Sequence, residues 1–255
     1  MAAHGRPDKK TAGAEHRRRK MNSIIYFING HQEIIPFIIF FAIIIAWTVS
    51  FFYLQKKRTE SLRKAAEEHG LSFSAECEPE FEEEVMKSGI DLFLYGHSRE
   101  IRNIIHNMNM PYAEMNIFDY SYTTGSGKNR TVHNYTCALA KYDAKTEFPH
   151  FSLVPENFFN RLADRLFEHR DINFENYPVF SKKYLLRGND EEAVRRLFSP
   201  SVLSSMEIKN NLSIFASGRY VLYCSSAVFI KADKIEAFAA EARENIQLLY
   251  SYLPR

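Results

Sequence analysis

The sequence predicts an α+β protein in which an N-terminal transmembrane helix is followed by antiparallel sheet packed with helices. Three observations predict it: a long uncharged apolar run at residues 34–54, a group of segments between residues 101 and 142 alternating at strand period, and capped amphipathic segments further along the chain.

The apolar run comes first. Ile34 to Leu54 reads IIPFIIFFAIIIAWTVSFFYL, 21 residues of which only Pro36, Thr48 and Ser50 fall outside the apolar class. At a helical rise of about 1.5 Å per residue it extends about 31 Å, the thickness of a bilayer core. Tyr53 suits the interface, and Gln55-Lys56-Lys57-Arg58 follows directly. A cleaved signal peptide has a shorter apolar core that ends in small residues, so the run is expected to stay as a single span.

Orientation follows from the cations beside the span. Residues 19–33 hold two Lys/Arg and residues 55–69 hold five, which predicts residues 55–255 on the cytoplasmic side of the inner membrane. Residues 1–33 read as a basic, disordered segment, with Met21 as an alternative start. Gln55 to Gly70 reads as a helical stalk ended by the glycine.

Residues 71–255 read as the soluble α+β domain, either single or divided near 145–150. Leu71–Ala75 alternates as a first strand. Pro79 opens a helix with Glu80, Glu82, Glu83 and Glu84 in its early turns, where the helix dipole favours acids. Ile101–Asn107, Ala113–Thr123 and Arg130–Tyr142 read as successive antiparallel strands. In the second, Phe118, Tyr120 and Tyr122 face one way and Ile117, Asp119 and Ser121 the other. Phe151 and Leu153 mark a short strand ended by Pro155, Glu156–Phe167 an amphipathic helix, and Phe180–Arg187 a strand. Asn189 reads as the cap of a helix through Phe198, and Pro200 as the start of a helical turn. Leu212–Ala216 and Tyr220–Cys224 form a hairpin, and Ala232–Leu253 closes the chain as a helix.

Composition excludes several functions. The chain has 255 residues, 33 basic and 31 acidic, a balance that argues against a polyanion-binding protein and hence against nucleic acid. Three cysteines make neither a disulfide framework nor a four-thiolate zinc site. The nine histidines show no metal-ligand spacing. Cys137 and His133, four residues apart on one strand, stand about 13 Å apart, too far for thiol activation. The expectation is no catalytic residue, no metal and no cofactor.

Thr123-Thr124-Gly125-Ser126-Gly127-Lys128-Asn129 invites a phosphate-loop reading. Such a loop needs an earlier glycine where Tyr122 stands, a magnesium-binding hydroxyl where Asn129 stands, and a helix where Arg130–Tyr142 alternates as a strand. A glycine-bearing hairpin with a solvated Lys128 and Arg130 fits better. The candidate surface site is therefore Lys128, Arg130, His133 and Asp119 about this hairpin. A deep pocket uniting the four would indicate chemistry, and side chains splayed from a solid core would not.

The segments Phe118-Asp119-Tyr120-Ser121-Tyr122-Thr123-Thr124-Gly125-Ser126-Gly127-Lys128-Asn129, Phe180-Ser181-Lys182-Lys183-Tyr184-Leu185-Leu186-Arg187-Gly188 and Val194-Arg195-Arg196-Leu197-Phe198 resemble a bacterial family of membrane-anchored proteins. Its members have one N-terminal span and a cytoplasmic-looking domain. The resemblance covers roughly residues 55–250 and implies architecture only, since the family brings no activity, cofactor or catalytic residues.

Two functions remain. One is a non-catalytic interaction or sensing module anchored to the inner membrane, with the lipid bilayer and a protein as partners and self-association compatible with it. The alternative is a membrane-tethered enzyme acting on a phosphate-bearing or lipid substrate.

Overall fold

The computed structural model describes residues 17–22, 34–156, 171–225 and 228–253. The chain divides into two compact units, Met1–Lys57 and Arg58–Arg255. In the first unit residues 17–22 are helical, so the disorder expected over 1–33 does not extend to them; the rest of that segment lies outside the described residues. Helix α1 (Ile35–Glu68) begins here and is long and apolar enough to cross a membrane. Its apolar part, up to Leu54, has no polar stripe, and Phe37, Phe41, Trp47 and Phe52 all stand exposed. The Thr48 hydroxyl donates to the Ile44 carbonyl at 2.7 Å, which satisfies this hydroxyl within the helix itself.

The second unit starts at Arg58, inside what the sequence suggested was a stalk. Leu62 and Ala66 of α1 are buried in its core, so this part of the helix belongs to the folded domain. It ends as expected at Gly70, whose φ is +68°. The Leu71 amide donates to the Ala66 carbonyl at 2.9 Å and the Gly70 amide to Glu67 at 3.0 Å, the paired bonds that close a helix on a left-handed residue.

Eight strands follow: β1 (Phe73–Glu76), β2 (His97–Met110), β3 (Ala113–Thr124), β4 (Thr131–Tyr142), β5 (Phe148–Pro155), β6 (Tyr184–Gly188), β7 (Ile214–Gly218) and β8 (Tyr220–Cys224). They form one antiparallel sheet in the order β1-β2-β3-β4-β8-β7-β5-β6. Strands from both sides of residues 145–150 join it through the β4–β8 pair, so the sheet does not divide there.

Helices cover both faces. On one lie the C-terminal part of α1, α4 (Pro178–Lys183), α5 (Glu191–Leu197), α6 (Pro200–Glu207) and α7 (Ile235–Ser251), packed on Ile117, Ala138, Phe151 and Ile214. On the other lie α2 (Pro79–Lys87) and α3 (Asp91–Leu94), packed on Phe118, Tyr120, Tyr135 and Leu222. Alternation along each strand produces these two cores, because successive side chains point to opposite faces.

Several elements differ from expectation. Phe180–Arg187 is not one strand: Pro178 sits in the first helical turn, so Phe180 to Lys183 complete α4 and the strand begins at Tyr184. The α5 cap is Asp190, not Asn189; its carboxylate accepts from the Ala193 amide at 2.9 Å. Strand β2 runs beyond Ile101–Asn107 in both directions. It carries three bulges against β3, and the left-handed residues Ser98, Asn103 and Asn107 fall within them. The amphipathic pattern at Glu156–Phe167 lies, after its first residue, outside the described residues.

Candidate functional site

The sheet separates the four candidate residues. Asp119 shares the α1/α7 face with Ile117, whereas His133 lies opposite Tyr122 on the other face. Strand register decides this: β3 pairs with β4 at Asp119↔Thr136 and Tyr122↔His133, and three steps reverse the side-chain direction.

Asp119 is a buried structural carboxylate. Arg58 grips it with both prongs, Nε to Oδ2 at 2.7 Å and Nη2 to Oδ1 at 2.6 Å. Asn103 Nδ2 donates to Oδ2 at 2.8 Å, and Thr136 Oγ1 to Oδ1 at 3.1 Å. Four donors fill the roughly four acceptor positions of a carboxylate. The remaining polar atoms close around it. Arg58 Nη1 donates to the Ile230 carbonyl at 2.8 Å, Thr59 donates to Asn103 Oδ1 at 2.8 Å, and the Ile230 amide donates to Thr136 Oγ1 at 2.9 Å. The guanidinium also lies 4.6 Å from the Phe229 ring centre. The left-handed backbone at Asn103, φ +54°, belongs to the bulge that brings its amide to Asp119. The sequence carried no sign that Arg58 meets a residue 61 positions away.

His133 is buried and stacked on Tyr122 with ring centres 4.8 Å apart, and its Nε2 lies 2.8 Å from Thr124 Oγ1. Lys128 and Arg130 are exposed on the hairpin and make no ion pair among the described residues. The loop contains a single 3-10 turn, Gly127–Asn129, leading into β4, so the strand expected after it is present. The aromatic residues about this hairpin are core: burial pushes the Tyr120, Tyr122 and Tyr135 hydroxyls well above the usual phenol range.

Two arrangements were not read from the sequence. Cys137 and Cys224 face each other across β4 and β8 with sulfurs 3.3 Å apart, both buried free thiols. Burial, with Cys224 beside it, drives the Cys137 thiol upward, which disfavours the nucleophilic thiolate. Cys77 is pushed to about 11 by burial and by the nearby Glu82 and Glu78 carboxylates. His150 Nε2 lies 3.1 Å from Asp91 Oδ1, and that hydrogen bond raises the imidazole against its partial burial. Among the described residues no three His, Cys, Asp or Glu side chains gather as metal ligands.

Two cavities are bounded by described residues. An open one of about 370 Å³ lies at one end of the sheet between Tyr112, Tyr142 and Arg219. A more enclosed one of about 220 Å³ lies between α1, α7 and β2. Neither contains Lys128, Arg130, His133 or Asp119.

No family model and no curated protein matches the chain. Among solved structures the chain is similar to the mycobacterial trehalose monomycolate transport factor A, TtfA, at a TM-score of 0.54 and 9% identity, over 77% of this chain and 96% of that one. The likeness is one of fold. It joins the α+β architecture to that of a protein whose name concerns transport of a lipid.

Proposed function

We propose that the chain is a single-pass inner-membrane protein whose cytoplasmic domain is a non-catalytic interaction or sensing module in a lipid-related membrane process. One observation carries the reading: the Asp119 carboxylate already accepts four hydrogen bonds and has no capacity left for proton transfer. The fold shared with TtfA supports the lipid-related setting, and the apolar run of α1 supports the anchor. The exposed hairpin, with Lys128 and Arg130, is the surface offered to a protein partner.

The test places a photo-crosslinking residue at 128 and at 130 of the full-length chain in its own membranes. A discrete protein adduct at these positions, absent from positions on the buried strands, is expected. The soluble part is then titrated calorimetrically with ATP and magnesium. Micromolar binding that disappears in Lys128→Ala would move the protein to the enzyme alternative.

A further inference from the structure

The enclosed cavity has walls and a rim of different chemistry. Its walls are mostly apolar, with Ala66 of α1, Ile105 of β2, and Ile235 and Ala239 of α7; Asn109 of β2 is the polar exception. It stays open because alanines face each other there, Ala65 and Ala66 from one helix and Ala239 and Ala240 from the other. Its volume, about 220 Å³, exceeds the ~150 Å³ of an apolar cavity known to stay dry and take up a benzene-sized guest.

The rim holds His69, Glu236 and Arg243. His69 Nε2 and Glu236 Oε2 lie 3.6 Å apart. Arg243 is different. Its Nε is buried without a hydrogen-bond partner, and no carboxylate pairs with the guanidinium among the described residues. A buried donor left unmade is costly, and a guanidinium fork suits a planar carboxylate.

We propose that this cavity binds a fatty acid, with the start of its acyl chain between α1 and α7 and its carboxylate on Arg243. The inference deepens the lipid-related reading above by naming a ligand class. It is separable from that reading, because the hairpin adducts are measured without added fatty acid.

The test uses the full-length protein in phosphatidylcholine nanodiscs with a diazirine-bearing fatty acid, irradiated and mapped by peptide mass. Adducts are expected on residues 65–71 and 235–243. Decanoate should compete, and decanol and inorganic phosphate should not. Arg243→Gln should lower the adduct yield at least about tenfold, the effect of losing a single interaction of ordinary strength. Ala240→Phe, at an exposed helix position where an aromatic ring closes the mouth, should do the same with an unchanged unfolding midpoint. Adducts confined to residues 34–54, or unaffected by both variants, would overturn the proposal. Equal competition by decanol would overturn the role of Arg243, and with it the fatty acid. In either case, hairpin adducts that persist would leave the module reading intact.

Discussion

Asp119 illustrates how much one residue's setting changes its meaning. In sequence it is a carboxylate flanked by Phe118 and Tyr120 of an aromatic stripe, on the strand that leads to a hairpin bearing Lys128 and Arg130. In the fold it is buried, and its nearest cation is Arg58. The alternation that puts it on the face away from Tyr120 and Tyr122 was legible; its partner was not, because the contact closes a loop of 61 residues. Removing one member of such a pair leaves a charge uncompensated in a poorly solvated place. Asp119→Ala is expected to destabilise the domain by about 3 kcal/mol or more, and the apolar double replacement Arg58→Met with Asp119→Leu by much less. Denaturant unfolding followed by far-ultraviolet circular dichroism measures both; the only tryptophan, Trp47, lies in the apolar run, outside the unit that holds the sheet, and does not report on it. Similar losses in the two variants would mean that shape rather than charge governs the site. His150 carries a second prediction. Its folded pKa is raised above the ordinary 6.5 by the Asp91 hydrogen bond. Its contribution to stability is therefore full below that unfolded value and is lost as pH rises through the higher folded one. The unfolding midpoint should fall across this range, and Asp91→Asn should flatten the fall. Parallel profiles for the two proteins would refute the assignment.

At the scale of elements, local chemistry spoke clearly where a cap, a glycine or strict alternation was present. Gly70, Pro79 and the β3–β4 hairpin fall where those signals put them. The signals failed where two elements abut without a polar break, as in α4 and β6, which share the segment read as a single strand. They failed also in β2, whose bulges depend on left-handed Ser and Asn residues that the period-two pattern cannot anticipate. The hairpin glycines can now be told apart. Both have positive φ, but a Cβ on Gly125 would stand 2.3 Å from the Asn129 carbonyl oxygen, whereas one on Gly127 would meet nothing within 4 Å. Gly127→Ala then bears only the backbone cost of the left-handed region, about 1 kcal/mol. Gly125→Ala bears that and a steric clash, and should lower stability by at least about 2 kcal/mol. Lys128→Ala should stay within about 0.5 kcal/mol, as exposed loop positions do. Thermal unfolding of the three variants checks the order, and a Gly127 variant worse than its Gly125 counterpart would contradict the loop geometry.

For the whole molecule, the candidate membrane helix was readable because 21 uncharged, mostly apolar residues in a row have few other uses, and the α+β class because strand and helix periods differ. The order of the sheet was not readable: β4 pairs with β8 across more than eighty residues, and only packing selects that partner. Nor was the domain's first residue. A fragment starting at Glu60 omits Arg58 and leaves Asp119 without its guanidinium, whereas one starting at Lys57 keeps it. The shorter fragment should unfold at lower denaturant, by about 3 kcal/mol, and equal stabilities would show that the ion pair contributes little. Orientation is predicted from the cations beside the apolar run, Arg58 among them. Arg58 is one of the five positive residues that follow the run, against two before it. Leaving Arg58 out still gives four against two, so the expectation does not depend on when the pair forms. A phosphatase fused to Arg255 should be inactive and a fluorescent protein fused there should glow. The reverse pattern would mean that Arg17, Arg18 and Arg19, just beyond or at the edge of the counted window, hold the N-terminus inside and send the domain across.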